Sequence, residues 1–566
     1  MRLAGIRLTL LVSIGLLGAV GCASLPPPDT LPRTGQQPAA TTAGAARVDL
    51  ARLSASGAAF ARRIDGLTAA HPKQSGVHPL PGGREAFAVR ARLIESAEAT
   101  LDLQYYLWRD DLSGRMLFDA VRRAADRGVH VRLLLDDGNT IGQDDLLAWL
   151  DEHPGIEVRL FNPFAQRRLR LLEYLGDFDR LQRRMHNKSL TADGQAAVIG
   201  GRNIGDAYFD VTDGTAFTDL DLLVIGPIVS DLSADFERYW NSRSSYPAAQ
   251  LLRPLDDAAR ERVLSRLSGS GDGPQTGFYR EALERTRALA DLREGRLDPI
   301  WAPVTMISDD PAKVLVRDRK PAPVATLMER SVGEPRRTLE IVSPYVVPMA
   351  EGVGYLAGLV NRGVRVRILT NSLASTDVVA VHAGYARWRE ALLDAGVELF
   401  EYRREARPPG GSGGRGSRGS AGGGSAASGG GGSRASAGGS AAASGGAAIG
   451  SSGAGASESS LHAKTFSVDG ERIYVGSANF DPRSAALNTE LGFVVASPAL
   501  TATIDESYAR DVPRNAWRVD RDATGALRWS ATTDDGAEVR DSEPDASPQR
   551  LFGAGMLSIL PFDWLL

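Results

Sequence analysis

Two stretches of the chain set a lysine two residues after a histidine: MHNKSLTADGQAAVIGGRN (residues 185–203) and LHAKTFSVDGERIYVGSAN (residues 461–479). In both, Asp-Gly follows the histidine at seven and eight residues and asparagine at seventeen. His186, Lys188, Asp193 and Asn203 therefore match His462, Lys464, Asp469 and Asn479. The 566 residues hold seven histidines and five lysines, and two of each stand in these motifs, which makes chance repetition a poor explanation. An imidazole can attack or donate a proton near neutral pH. A lysine two positions along a strand projects on the same face. Such a set suits phosphate, because lysine charge and asparagine amide can hold the non-bridging oxygens while charge redistributes. Two sets brought together place one histidine on each side of a phosphorus. One attacks, and the other protonates the leaving oxygen and then serves as base for the incoming alcohol or water. The scheme requires no metal and no cofactor.

The elements that must position these residues are repeated too. LDLQYYLW (101–108) and LEIVSPYV (339–346) read as buried strands, each followed by a helical pattern and a second strand, GVHVRLLL from Gly128 and GVRVRILT from Gly363. Each half closes with an apolar strand that begins on an acid, DLDLLVIG from Asp219 and ELGFVVAS from Glu490. Strands alternating with helices, twice over, predict a duplicated α/β protein. The second half is longer mainly by a Gly/Ser/Ala tract with almost no apolar surface to bury, expected to loop out of one domain. The expected organisation is a signal (1–22), a disordered tether (23–50), a first lobe (51–250), a helical connector (251–320), a second lobe (321–510) with a low-complexity insert (408–460), and a C-terminal accessory segment (511–566).

A net charge of −4 gives no overall basic field and argues against a nucleic-acid partner. Cys22 is the only cysteine, so no disulfide and no cysteine-based metal site can form within one chain. It ends MRLAGIRLTLLVSIGLLGAVGC, which has the layout of a secretory signal and an apolar run short of the ~20 residues of a membrane span. This stretch resembles a bacterial lipoprotein signal, with Ala19, Val20 and Gly21 as the lipobox and Cys22 as the lipidated residue. Ala23 after the cysteine, where an aspartate would signal retention, implies an outer-membrane anchor facing the periplasm.

Residues 161–184, FNPFAQRRLRLLEYLGDFDRLQRR, mix Arg167, Arg168, Arg170, Arg180, Arg183 and Arg184 with leucines and aromatics. They read equally as a basic segment drawn to anionic headgroups and as a solvated helix face. The terminal LSILPFDWLL reads as core packing first and as a membrane-contacting edge second. His382 near Tyr385 fits a pocket wall or a structural role, and Asp136-Asp137 before Gly138 fit a turn at a strand end first and a site role second.

The two HxKxxxxD motifs, with GGRN (200–203) and GSAN (476–479), resemble the phospholipase D superfamily over roughly residues 80 to 510. The resemblance implies two lobes, each a mixed sheet flanked by helices, with both motifs meeting at one site. It makes Asp219 and Glu490 the acids that orient the histidines. It counts Asp193 and Asp469 within the catalytic motif while giving them a mainly structural role, and it offers Asn203, Asn479 and Ser477 as phosphate contacts. Gly201, the counterpart of Ser477, has no side chain to offer. His186, in the first motif, is the implied nucleophile. RRMHNKS, DLDLLVIGP, NSLASTDVVAVHAGYARWR and LPFDWLL are similar to bacterial cardiolipin synthases of a lipoprotein-like branch. A phosphatidyltransferase is the activity this implies. Its substrates would be phospholipids, phosphatidylglycerol first and phosphatidylethanolamine second, at a membrane and without nucleic acid. Both motifs in one chain let a monomer be complete. A phospholipase D-type hydrolase is the alternative, followed by a nuclease-like phosphodiesterase and a non-catalytic lipid-binding scaffold.

Overall fold

The structure, a computed structural model, describes Leu25 and residues 55–209, 216–268, 274–316, 324–403, 459–533 and 536–559. The signal with its lipobox and Cys22, the rest of the tether and the tract at 404–458 lie outside the described residues.

Strands covered on both faces read as continuous apolar runs, and the repeated runs form such strands. Thr100–Tyr105 lies parallel to His130–Asp136, the crossover being the helix Leu112–Asp126, whose N-cap Asp111 accepts from the Gly114 N–H. In the second half Thr338–Val342 lies parallel to Arg365–Asn371, with the helix Met349–Asn361 between them. The strand after each motif histidine runs antiparallel to the first of these, setting Lys188 opposite Tyr105 and Thr465 opposite Val342. Each motif histidine thus lies at the carboxyl end of its lobe's parallel strands.

The first sheet has nine strands and the second ten, and seven consecutive places correspond. In the first sheet they run Ser75–Leu80, Asp221–Ile225, Ala196–Gly200, Lys188–Ala192, Thr100–Tyr105, His130–Asp136 and Ile156–Phe161. In the second they run Val304–Ser308, Leu491–Val495, Arg472–Gly476, Thr465–Val468, Thr338–Val342, Arg365–Asn371 and Glu398–Tyr402. Each lobe has its own core beneath its helices. A third cluster joins them: Ile199, Leu222 and Val224 of the first sheet pack with Ile473, Leu491 and Phe493 of the second. The lobes therefore share a buried apolar seam.

Three expected boundaries are corrected. The connector is helical only in part (Asp257–Ser268, Pro274–Arg285, Ala288–Glu294); Ile300–Ala302 then joins the edge of the first sheet and Val304–Ser308 the edge of the second. The insert stops before Ser459, because Ser459–Leu461 pairs with Ala216–Thr218 of the other lobe. The C-terminal segment extends the second sheet through Ala516–Arg521, Leu527–Thr533 and Gly536–Arg540 before the helix Pro548–Ser558. Of LSILPFDWLL, Leu557 packs near Val347 and Val381, Ile559 is exposed against expectation, and 560–566 lie outside the described residues.

Candidate active site

Each motif histidine is carried into the seam by backbone bonds to the opposite lobe. The His186 N–H donates to Thr489 O at 2.9 Å and the Thr489 N–H to Arg184 O at 2.9 Å. In the other direction, the His462 N–H donates to Thr218 O at 2.8 Å. The residue after each of these partners is the acid, so the acids are exchanged between lobes. His186 Nδ1 lies 2.9 Å from Glu490 Oε2, and His462 Nδ1 lies 2.6 Å from Asp219 Oδ2. A carboxylate only accepts, so each Nδ1 carries the hydrogen and Nε2 is the nitrogen left to meet a substrate.

The lysines project beside the histidines, as the two-residue spacing requires. Lys188 Nζ donates to His186 O and sits 5.3 Å over the Tyr106 ring, and Lys464 Nζ donates to His462 O. All four side chains are buried. Burial lowers His186 to about 4 and, together with the nearby Lys464 charge, lowers His462 to about 3. Burial also brings Lys464 down to about 8 and Lys188 well below the usual lysine range. Burial opposes ionisation of Asp219 and Glu490, yet the histidine bonds and lysine charges outweigh it and hold both carboxyls at about 2. At neutral pH the resting site therefore holds neutral imidazoles on charged carboxylates.

Asp193 and Asp469 are not in contact with the histidines. Each sits past the far end of its motif strand, with φ of 52° and 57°, and each carboxylate collects a row of backbone N–H groups. Asp193 takes those of Ala99 at 2.8 Å and Thr100 at 2.9 Å, and Asp469 those of Arg337 at 2.7 Å and Thr338 at 2.9 Å. They pin the strand that runs beside the motif, so their grouping with the catalytic residues is corrected to the structural role. Ser477 is also engaged: its hydroxyl donates to Glu490 Oε2 and accepts from the Leu491 N–H at 2.9 Å, making it a support for the acid. In the first lobe a Cβ at Gly201 would fall 2.4 Å from Asp219 Oδ1, so glycine is required where the shorter acid lies against it. Asn203 donates to Tyr208 OH at 3.0 Å, and the Oδ1 atoms of Asn203 and Asn479 are buried without a protein partner.

Sequence reasoning missed two tyrosines. Tyr106 stands edge-on to His186, ring centres 4.9 Å apart, and Tyr208 edge-on to His462 at 5.1 Å. The signal was present for Tyr106, which directly follows the strand residue opposite Lys188. Tyr208 lies in a short turn beyond GGRN and carries no pattern. His382 takes the structural alternative: buried, with Nδ1 3.3 Å from Asn371 O, it packs with Arg389 and Glu543. Asp136 is a turn residue that also accepts from the Met185 N–H at 2.8 Å and so fixes the approach to His186. Most of the arginines at 161–184 turn inward. Arg167 meets Asp137 at 2.7 Å, Arg180 meets Glu173 at 2.7 Å and Arg184 meets Asp136 at 3.3 Å.

The family described as "Cardiolipin synthase, PLD-like domain" matches residues 91–240 and 440–512, which contain both motifs and both acids. The chain is 43% identical over 500 residues to cardiolipin synthase C of Escherichia coli (strain K12), covering 88% of this chain and 98% of that one. It is 25% identical over 414 residues to a cardiolipin synthase of Geobacillus thermodenitrificans (strain NG80-2), covering 73% of this chain and 61% of the relative. Among solved structures, the phosphatidylserine synthase of Haemophilus influenzae Rd KW20 aligns with a TM-score of 0.48 and 12% identity, over 81% of this chain and 92% of that one. With a 43% identical relative matched over almost its whole length, this chain belongs to the PLD-like cardiolipin synthase family.

Proposed function

We propose that the protein is a phosphatidyltransferase that moves a phosphatidyl group from one phospholipid to a hydroxyl of another through a phosphohistidine. The observation that carries this reading is the pair of buried histidines, each tied through Nδ1 to a carboxylate of the opposite lobe. His186 Nε2 attacks phosphorus; the bond to the leaving alkoxide breaks as His462 supplies its proton. His462 then takes the proton of the acceptor hydroxyl, whose oxygen attacks phosphorus and releases His186. The negative charge of the arriving phosphodiester raises the affinity of His462 for the proton it must deliver. Lys188 and Lys464 offset charge on the phosphoryl oxygens, and Glu490 and Asp219 stabilise the imidazolium that forms beside each. Phosphatidylglycerol fits as donor and acceptor, and phosphatidylethanolamine as a second donor. A lipid on Cys22 would keep the enzyme at the outer membrane facing the periplasm, and a monomer carries the complete pair.

Quenching each variant with a labelled, activated phosphatidyl ester and mapping the label tests the assignment. His186→Ala should give neither product nor labelled enzyme. His462→Ala should lose turnover of the natural lipid by about 10²–10⁴-fold yet still trap label on His186, because a good leaving group needs no proton. Label on His462 in the His186→Ala protein reverses the order. Release of phosphatidic acid alone, with phosphatidylglycerol present in excess, makes the enzyme a hydrolase.

A further inference from the structure

Among the described residues, nine of the thirteen large apolar side chains left exposed fall in two short segments. One precedes the first motif and exposes Leu169, Leu171, Leu172, Leu175 and Phe178, with Leu175 at 79%. The other, around the helix Pro548–Ser558, exposes Leu551, Phe552, Met556 and Ile559, with Phe552 at 73%. Soluble monomers seldom leave apolar residues clustered in this way without a use for them.

Neither segment is a frayed end. In the first, the polar residues point into the protein and the leucines out: Arg170 donates to Asp137 O at 2.8 Å and Thr140 Oγ1 at 3.1 Å, while Tyr174 OH donates to Leu181 O at 3.1 Å. In the second, Ser547 caps the helix and Arg550 donates to Leu373 O at 2.9 Å and Thr376 O at 2.7 Å. These anchor points correspond. Asp137 to Thr140 follow the strand His130–Asp136, and Leu373 to Thr376 follow Arg365–Asn371, which holds the equivalent place in the other sheet. Both loops lead to the catalytic backbone. Asp136 accepts from the Met185 N–H beside His186, and Asn371 Oδ1 accepts from the Leu461 N–H beside His462 at 3.0 Å. The two apolar ridges thus stand at the same end of the sheets, one on each lobe, on either side of the paired histidines.

We propose that these two ridges are the surface that seats the protein on a lipid bilayer, with the mouth of the site between them turned toward the headgroups. This rests on the reading of the site as one for phospholipids. Such a substrate must bring its phosphate to the histidines while its acyl chains remain near the bilayer, which requires apolar contact around the mouth rather than on the far side. Exposed Arg168, next to the first ridge, adds a charge that favours anionic headgroups. Ridges of this kind insert to a depth of roughly 5–10 Å.

Replacing Cys22 by serine in the full chain removes both the only thiol and the lipid attachment point, so that each added cysteine carries the only dye and reports its own surroundings. In that background Leu175→Cys, Phe552→Cys and, as control, Val539→Cys on the strand Gly536–Arg540 each accept one environment-sensitive dye. On vesicles of phosphatidylcholine and phosphatidylglycerol, the dyes at Leu175 and Phe552 should shift to the blue and brighten while that at Val539 does not. Leu171→Ser with Leu175→Ser, or Phe552→Ser with Met556→Ser, should raise the vesicle lipid needed for half-maximal rate at least about tenfold. The same variants should leave turnover of a monomeric short-chain phosphatidyl ester unchanged. Silent dyes at both ridges overturn the proposal. So do dyes that respond to protein concentration without vesicles, which would make the ridges a contact between two copies of the chain. Failure of the unsubstituted protein to turn over either substrate refutes the phospholipid reading of the site instead, and the dyes still decide the surface.

Discussion

Asp219→Asn removes a charge from the first lobe, and the exchange of acids dictates that the damage appears at the histidine of the second. Asp219 and His462 are both buried, 2.6 Å apart through Nδ1. Asparagine keeps the shape and an acceptor oxygen but not the charge that stabilises the His462 imidazolium. Two unit charges about 4 Å apart at an effective dielectric constant near 20 interact by about 4 kcal/mol. At about 1.4 kcal/mol per factor of ten, turnover of phosphatidylglycerol to cardiolipin should fall about a thousandfold. The variant should nevertheless label His186 with an activated phosphatidyl ester, as His462→Ala should, because attack does not require the acid. Glu490→Gln, which strips His186 of its partner, should weaken labelling itself. The assay is therefore two measurements on one folded protein: radiolabelled product formation and quenched-flow labelling. An Asp219→Asn enzyme within tenfold of the parent, or one that fails to label while Glu490→Gln labels normally, would refute the exchanged pairing as the working arrangement.

The pH profile follows from the same burial. A His186 lowered to about 4 is already neutral at pH 6, so kcat/KM for an activated ester, whose leaving group needs no proton from His462, should hold down to that range and fall only as pH approaches 4. An acid limb near 6.5 would mean a solvated nucleophile. On the alkaline side Lys464, lowered to about 8, loses its charge as pH rises through that value, and kcat/KM should drop there; a flat profile to pH 10 would remove Lys464 from phosphate binding. Cys22→Ser should leave the protein without lipid and mislocalised from the outer-membrane fraction, and mass spectrometry finding an unmodified, intact N-terminus in the unsubstituted protein would end the lipoprotein assignment. Replacing residues 410–456 by about eight flexible residues should preserve folding and activity, since Tyr402 pairs with Asn371 and the Asn371 side chain holds Leu461, so the described chain on either side of the tract comes close together. Loss of the thermal transition in that variant would refute its dispensability.

The duplication was legible because the motif repeats with fixed spacing and because strands buried on both faces leave mainly apolar runs, broken here only by residues such as Asp102, Gln104 and Glu340. LDLQYYLW and LEIVSPYV became equivalent strands, and Lys188 and Lys464 lie beside His186 and His462 as the two-residue spacing implied. What one dimension could not carry was exchange between lobes. Asp219 follows the first motif and Glu490 the second, and nothing in the order of residues says that each serves the other histidine. The outward leucines at 169–178 were hidden for a related reason. A segment rich in arginine and leucine suggests charges outside and leucines inside, but buried Asp136 and Asp137 offered the arginines better partners than water, and the segment turned over.

The exchange also explains why the two halves have diverged where they have. The shorter acid of the first lobe meets His462 from a position against Gly201, where a Cβ would collide with it. The longer acid of the second lobe meets His186 and takes a steadying bond from Ser477. GGRN and GSAN therefore differ because each matches the acid of its own lobe, and that acid in turn matches the histidine across the seam. A change at either position is transmitted to the opposite histidine. Leu222 and Val224 share one buried apolar cluster with Leu491 and Phe493, on the two strands that follow these acids, so the seam sets how each acid meets the histidine of the opposite lobe. One lobe alone would keep its histidine and lysine but lose the carboxylate that fixes the ring, which makes the duplicated chain the smallest unit in which either half of the site is complete.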